Sequence, residues 1–267
     1  MQPEGRPPSP RTVLITGASR GIGAALATSY AEAGRILLLM ARDGQKLDAV
    51  AAECRALGAA VETATVDVRD RAAMAGCIRR LDAANSVDLV IANAGVPGSI
   101  GADGSPEPPD LAQAVFDVNL TGAVNTISPL IEPMRRRGGG HIAAICSLAA
   151  LYPFPNTPSY SASKAALATW VRAVGIAHGD DGIRITVVFP GFIETDMSAR
   201  VIGPRPMIQS AAMAAVRIRR GLDRGRKTIA FPILLRWGIA FLKLLPYDWT
   251  KPLLRLSNYT VRSNNDC

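Results

Sequence analysis

Seven short, largely apolar stretches, at residues 13–16, 36–40, 61–66, 88–92, 142–147, 185–189 and 228–231, alternate with longer segments whose apolar positions return every three to four residues. Their length and β-branched content predict parallel strands covered on both faces. The intervening segments predict helices near residues 22–33, 45–57, 71–83, 111–137 (with a break near Asn119) and 159–177. This alternation predicts an α/β fold: a single-domain, doubly wound (Rossmann) parallel sheet of seven strands with helices on both faces. Ligands are then expected at the carboxyl ends of the strands.

No repeat or long linker interrupts the pattern, and 267 residues at 48% hydrophobic content suffice for one large core. Aromatics make up only 5% against 24 glycines, which favours close helix-on-sheet contacts. The expected organisation is a mobile arm at 1–10, a catalytic domain at 11–231 and an extension at 232–267. The arm is rich in proline and has no apolar run, so it reads as neither signal peptide nor membrane anchor. Cys54, Cys77, Cys146 and Cys267 are widely spaced, and His141 and His178 are the two histidines. No metal site is expected, and a reducing, cytoplasmic location fits.

The first strand runs into Thr16-Gly17-Ala18-Ser19-Arg20-Gly21-Ile22-Gly23 and then a helix. Glycines there permit a tight turn and bring backbone N–H groups close to a pyrophosphate at the helix amino end. The second strand ends Met40-Ala41-Arg42-Asp43, where an NAD-type site usually carries an acid for the ribose hydroxyl. Arg42 and Arg20 instead suit a 2′-phosphate, through charge-assisted bonds. NADP(H) is therefore the expected cofactor, and Asp43 is expected to start the next helix, where an acid suits the dipole.

Further along come Asp67-Val68, Asn93-Ala94-Gly95, Asn119, Ser147, the pentapeptide YSASK at 160–164, and Pro190-Gly191 followed by Thr195. On a helix, Tyr160 and Lys164 share a face one turn apart. Over about residues 10–231 this ordered set resembles the short-chain dehydrogenase/reductase family. Ala92 departs from the asparagine that the family often has before Asn-Ala-Gly.

The resemblance implies strand order 3-2-1-4-5-6-7 and a role for each matched position. Tyr160 would exchange a proton with the substrate oxygen, and Ser147 would hydrogen-bond and orient it. A free phenol with pKa ~10 is a poor base at neutral pH. Lys164, which would also bind the nicotinamide ribose, favours phenolate. Asn119 would hold a water linking Lys164 to solvent. Gly17, Ser19, Arg20, Gly21, Ile22, Gly23 and Arg42 would hold the pyrophosphate and adenosine side. Asp67 would meet the adenine amino group and Val68 its ring, while Asn93, Ala94 and Gly95 line the middle. Pro190, Gly191, Ile193 and Thr195 would border the nicotinamide. A homodimer or homotetramer is implied, paired through helices near 119–137 and 159–177.

Charge adds one feature. Residues 200–267 carry 13 Lys and Arg against 3 Asp and Glu, a balance of +10, whereas the other 199 residues balance at −2. Within that quarter, residues 231–246 combine Trp237, Phe241 and several leucines with Arg236 and Lys243. The apolar runs are too short to span a bilayer. An amphipathic helix there would lie in a membrane interface, or pack on its own core or another subunit; it is also expected to wall the substrate pocket. Arg217, Arg219, Arg220, Arg224 and Arg226 fall in a long insert at 196–226 and read mainly as a solvated face.

The expected function is hydride transfer between NADP(H) and a carbonyl or secondary alcohol of a lipophilic small molecule, in the cytoplasm or peripherally on a membrane. The alternatives are an NAD-dependent alcohol dehydrogenase and a non-catalytic cofactor-binding scaffold. The basic pI of 9.7 lacks the motifs of a nucleic-acid binder, so no nucleic-acid partner is expected.

Overall fold

The computed structural model describes residues 9–101, 104–246, 248–250 and the backbone of 260–261. Most of the N-terminal arm, and most of the chain beyond residue 250, lie outside the described residues. Ser9 and Pro10 are held by Arg35, whose guanidinium donates to the Ser9 hydroxyl at 2.7 Å and to the Pro10 carbonyl.

Seven strands form the main sheet: β1 (Thr12–Thr16), β2 (Ile36–Ala41), β3 (Ala60–Thr65), β4 (Leu89–Ala92), β5 (Gly140–Ile145), β6 (Ile183–Pro190) and β7 (Thr228–Phe231). Their order is β3-β2-β1-β4-β5-β6-β7 and every neighbouring pair is parallel, as expected. Side chains alternate across a strand, so Val13 and Ile15 enter one layer and Leu14 the other, all fully buried. Helices α1 (Gly21–Tyr30), α2 (Gly44–Ala56) and α8 (Ala211–Asp223) cover the first face; α3 (Arg71–Asn85), α5 (Gly122–Arg136) and α6 (Pro158–His178) cover the second.

The expected break near Asn119 is a change of helical pitch. Helix α4 (Pro109–Phe116) leads through a π-type turn at Asp117–Thr121 into α5, and the Gly122 N–H bonds back to the Asp117 carbonyl five residues earlier. One wider turn re-aims the side chains that follow it, a device often found at functional sites.

The segment 196–226, expected as an insert, folds in part as helix, while Arg217, Arg220, Arg224 and Arg226 are exposed, as a solvated face requires. It contains the four-residue α7 (Asp196–Ala199) and then α8, whose Ala214, Ala215, Ile218, Gly221 and Leu222 are buried. Arg219 is also engaged: it stacks 5.0 Å from the Tyr30 ring, pairs with Glu32 at 3.2 Å and donates to the Ser29 carbonyl. The helix therefore belongs to the structural layer over α1. Beyond β7, helix α9 (Ile233–Leu242) buries Ile239 and packs Leu235 and Leu242 against the core.

Candidate active site

The carboxyl ends of β1, β4, β5 and β6 open into one cleft of about 1890 Å³. At its first end, the turn after β1 is made by Gly17 and Gly21 at φ +67° and +57°, which favour glycine. A Cβ on Gly17 would come within 2.9 Å of the Ala94 backbone, and one on Gly23 within 2.1 Å of the Gly17 carbonyl. Gly23 thus lets α1 close onto the turn without itself lining the cleft. Asn93 braces the loop from β4: its amide donates to the Thr16 and Gly17 carbonyls at 3.0 and 3.2 Å, while the Thr16 hydroxyl accepts from the Asn93 N–H. Thr16 received no role from sequence, although its place at the strand end is where such a bond is needed.

The charged groups lie at the same end. Arg20 and Arg42 line the cleft and keep about half of each side chain exposed, 3.6 Å from Asp196 and 3.9 Å from Asp67 respectively. Asp43 caps α2, accepting from the Lys46 N–H at 3.1 Å and pairing with the Lys46 ammonium at 3.2 Å, as its expected helix-start position requires. Asp67 stands beside the cleft rather than in its wall, and Arg69 grips its carboxylate at 2.7–3.1 Å. Those hydrogen bonds hold the carboxyl below its usual range. Val68 lines the cleft, and its carbonyl accepts from the buried Asn125 amide at 2.9 Å. The signal for Asn125 was a polar residue on an otherwise apolar helix face, because a buried amide needs a partner.

At the other end, α6 presents Tyr160 and Lys164. The Lys164 ammonium is buried, 6.0 Å from the centre of the Tyr160 ring, and donates to the Ile145 carbonyl at 2.9 Å. Burial lowers its pKa from the ordinary lysine value, so its charge is held at a desolvation cost. Ser147, just past β5, faces the same space and accepts from the Ala149 N–H at 3.1 Å. Cys146 lies beneath it in the floor, its thiol pushed up to about 11 mainly by burial.

Asn119 reaches this end from behind. Its side chain accepts from the Val96 N–H at 2.8 Å and donates to the Val96 carbonyl at 3.0 Å and the Ser163 hydroxyl at 3.1 Å; Ser163 in turn donates to the Tyr160 carbonyl. The π-type turn is thereby tied to α6. A Cβ on Gly95 would meet Asn119 Oδ1 and Lys164 Nζ, each at 3.2 Å, so these two groups converge behind the cleft wall.

Of the expected site residues, Gly17, Ser19, Arg20, Gly21, Ile22, Arg42, Val68, Asn93, Ala94, Gly95, Ser147, Tyr160, Lys164, Pro190, Gly191, Ile193 and Thr195 line this one cleft; Gly23, Asp67 and Asn119 support it from outside. The far wall is apolar and comes partly from α9, through Leu234, Leu235, Gly238, Ile239, Phe241 and Leu242. Val201 and Ile202 add to the rim, and their strand pairs antiparallel with Thr260–Val261. The glycine cradle at one end and the Tyr160–Lys164 pair at the other fit an extended dinucleotide, and the volume leaves room for a second ligand.

Comparison with known proteins agrees with this geometry. The family pattern for short chain dehydrogenase matches residues 11–204. An uncharacterized oxidoreductase of Myxococcus xanthus is 35% identical over 237 residues, covering 88% of this chain and 93% of its own. The 11-beta-hydroxysteroid dehydrogenase-like 2 protein of Arabidopsis thaliana is 33% identical, over 85% of this chain and 75% of its own. In fold, a short chain dehydrogenase/reductase of Burkholderia phymatum, solved in complex with NAD, superposes with a TM-score of 0.76 at 23% identity, covering 86% of this chain and 92% of that one. The chain belongs to the short-chain dehydrogenase/reductase family of oxidoreductases, which bind a nicotinamide cofactor.

Proposed function

We propose that the protein is an NADP(H)-dependent oxidoreductase acting on a carbonyl or secondary alcohol of a lipophilic substrate. The observation that carries this reading is the buried Lys164 ammonium 6.0 Å from the Tyr160 ring, in the cleft that also holds Ser147. A nicotinamide cofactor, when bound, supplies the carbon that gives or accepts the hydride. Tyr160 then gives or takes the proton at the substrate oxygen, and Ser147 hydrogen-bonds that oxygen and orients it. Lys164 holds positive charge beside the phenol, favouring phenolate, and bonds the nicotinamide ribose. Asn119 orders water between Lys164 and solvent.

The preference for NADP(H) is supported by Arg20 and Arg42 on the cleft and by Asp43, whose carboxylate is already taken by Lys46. Val68 on the cleft wall receives the adenine, and Asp67, held by Arg69, stands beside it. The substrate class is supported by the α9 wall, and the hydroxysteroid in the name of the Arabidopsis relative is of that class. The proposed state is a cytoplasmic homodimer or homotetramer paired through α5 and α6, with α9 at its surface; Ile176, 87% exposed on α6, supports that pairing. Calorimetric titration with NADPH and NADH tests the cofactor, followed by a ketone screen with the tighter one. Equal affinity for both removes the NADP preference, and binding of neither favours a non-catalytic scaffold.

A further inference from the structure

At 3.6 residues per turn, successive side chains of α9 are about 100° apart around the helix axis. Ile233, Leu234, Trp237, Phe241 and, just past the helix, Leu244 then fall within one arc of about 100°. All five are exposed, Trp237 at 65% and Leu244 at 80%. The core-facing residues Leu235, Ile239 and Leu242 occupy a separate arc, and Arg236 and Lys243, both exposed, lie in a stripe between the two. Burial of this helix in its own protein thus accounts for only one of its two apolar faces.

The outer arc is continuous with the cleft, because Leu234 and Phe241 are largely exposed yet also line its wall. No Asp or Glu occurs from Ile233 to Pro246, so the cations flanking the arc are not offset within the segment. No helix among the described residues is long and apolar enough to cross a membrane. An exposed aromatic arc with basic residues at its margin fits the headgroup boundary of an anionic bilayer, the cations reaching the phosphates while the rings enter the acyl region.

We propose that α9 docks on an anionic phospholipid surface and admits substrate from the lipid phase past Leu234 and Phe241 into the cleft. The docking stands on the helix geometry; the admission of substrate rests on the reading of the cleft as a hydride-transfer site. The test is co-sedimentation of the purified full chain with phosphatidylcholine vesicles, with and without phosphatidylserine, together with tryptophan emission. The expected result is binding that requires phosphatidylserine, falls with added salt and shifts the emission to the blue. Trp237→Glu, at a position outside the cleft wall, is expected to weaken binding at least about tenfold. Arg236→Glu with Lys243→Glu does the same through charge alone, at about fivefold per cation lost. Both variants keep NADPH affinity and turnover of a short, water-soluble ketone, whereas KM for a long-chain ketone supplied in vesicles rises. Wild-type protein that stays in the supernatant overturns the docking, as does undiminished vesicle binding by both variants. Loss of a dimer in Trp237→Glu, with no vesicle binding by the wild type, assigns the arc to a second copy instead. Vesicle binding is read without turnover, so an inactive cleft and an undocked helix give separate results.

Discussion

In the proposed reaction Tyr160 and Lys164 divide the proton chemistry between a group that meets substrate and a group that supplies charge, and substitutions separate the two. Tyr160→Phe keeps the ring and removes the hydroxyl, so turnover is expected to fall at least about a thousandfold, towards the upper end of general acid–base contributions, with NADPH affinity unchanged within about twofold. Stopped-flow turnover beside calorimetry checks both, and retained turnover removes Tyr160 from the proton transfer. Arg42→Ala is expected to weaken NADPH about tenfold or more and leave NADH nearly unaffected, because only the phosphate needs the guanidinium. His141 makes a different statement: buried, with Nε2 2.8 Å from the Thr186 hydroxyl, its pKa is lowered from 6.5 to about 4, first by burial and then by Arg184. The neutral ring's contribution is complete above pH 6.5 and is lost as pH falls through about 4. At 1.36 kcal/mol per unit the loss is on the order of 3 kcal/mol. Urea unfolding between pH 7 and 4 measures it, and His141→Gln is expected to flatten that part of the profile.

At the scale of elements, the junction between α4 and α5 joins fold to chemistry. Asn119→Ala removes three hydrogen bonds and leaves the Val96 N–H and carbonyl without these partners. A loss of about 2–3 kcal/mol in urea unfolding is expected, with turnover falling further than NADPH affinity. An unchanged unfolding midpoint would show that the turn holds without the clamp. Most strands and the glycine loop were legible because they depend on local pattern: apolar runs for buried strands, glycine where φ must be positive. Tyr160 and Lys164 were legible as a helical pair, but their sharing a cleft with Ser147 and the tie from Asn119 to Ser163 came only through resemblance, since a contact across 44 residues leaves no periodic trace. Helix α8 was read as an insert because its arginines masked the spacing of Ala214, Ile218 and Leu222, which sit four residues apart on its buried face. Arg69 was missed since nothing local shows that Asp67 turns back to it.

For the whole molecule, the glycine cradle, the Asn93 brace and α6 come from three separate βα units, so a dinucleotide across the cleft adds to the few side-chain links, from Asn93 and Asn119, that join them outside the sheet. Ligand at a hundredfold excess over its Kd is expected to stabilise the fold by about 2.7 kcal/mol, a rise in Tm of about 5–10 °C at this chain length. Differential scanning fluorimetry with NADPH and NADH at equal concentration reads it, and an equal rise with both would contradict the proposed preference. The same arrangement turns Cys146 into a clock. Cys146 lines the cleft next to Ser147 but is 3% exposed, and burial holds its thiol in the unreactive, protonated form, whereas Cys77 is only half-buried. An alkylating reagent would mark Cys77 at a rate set by the chemistry of a partly exposed thiol. It would mark Cys146 only while the cleft wall parts, so the ratio of the two labelling rates reports the fraction of time it stands open, and its fall with NADPH measures how firmly bound nucleotide keeps it shut.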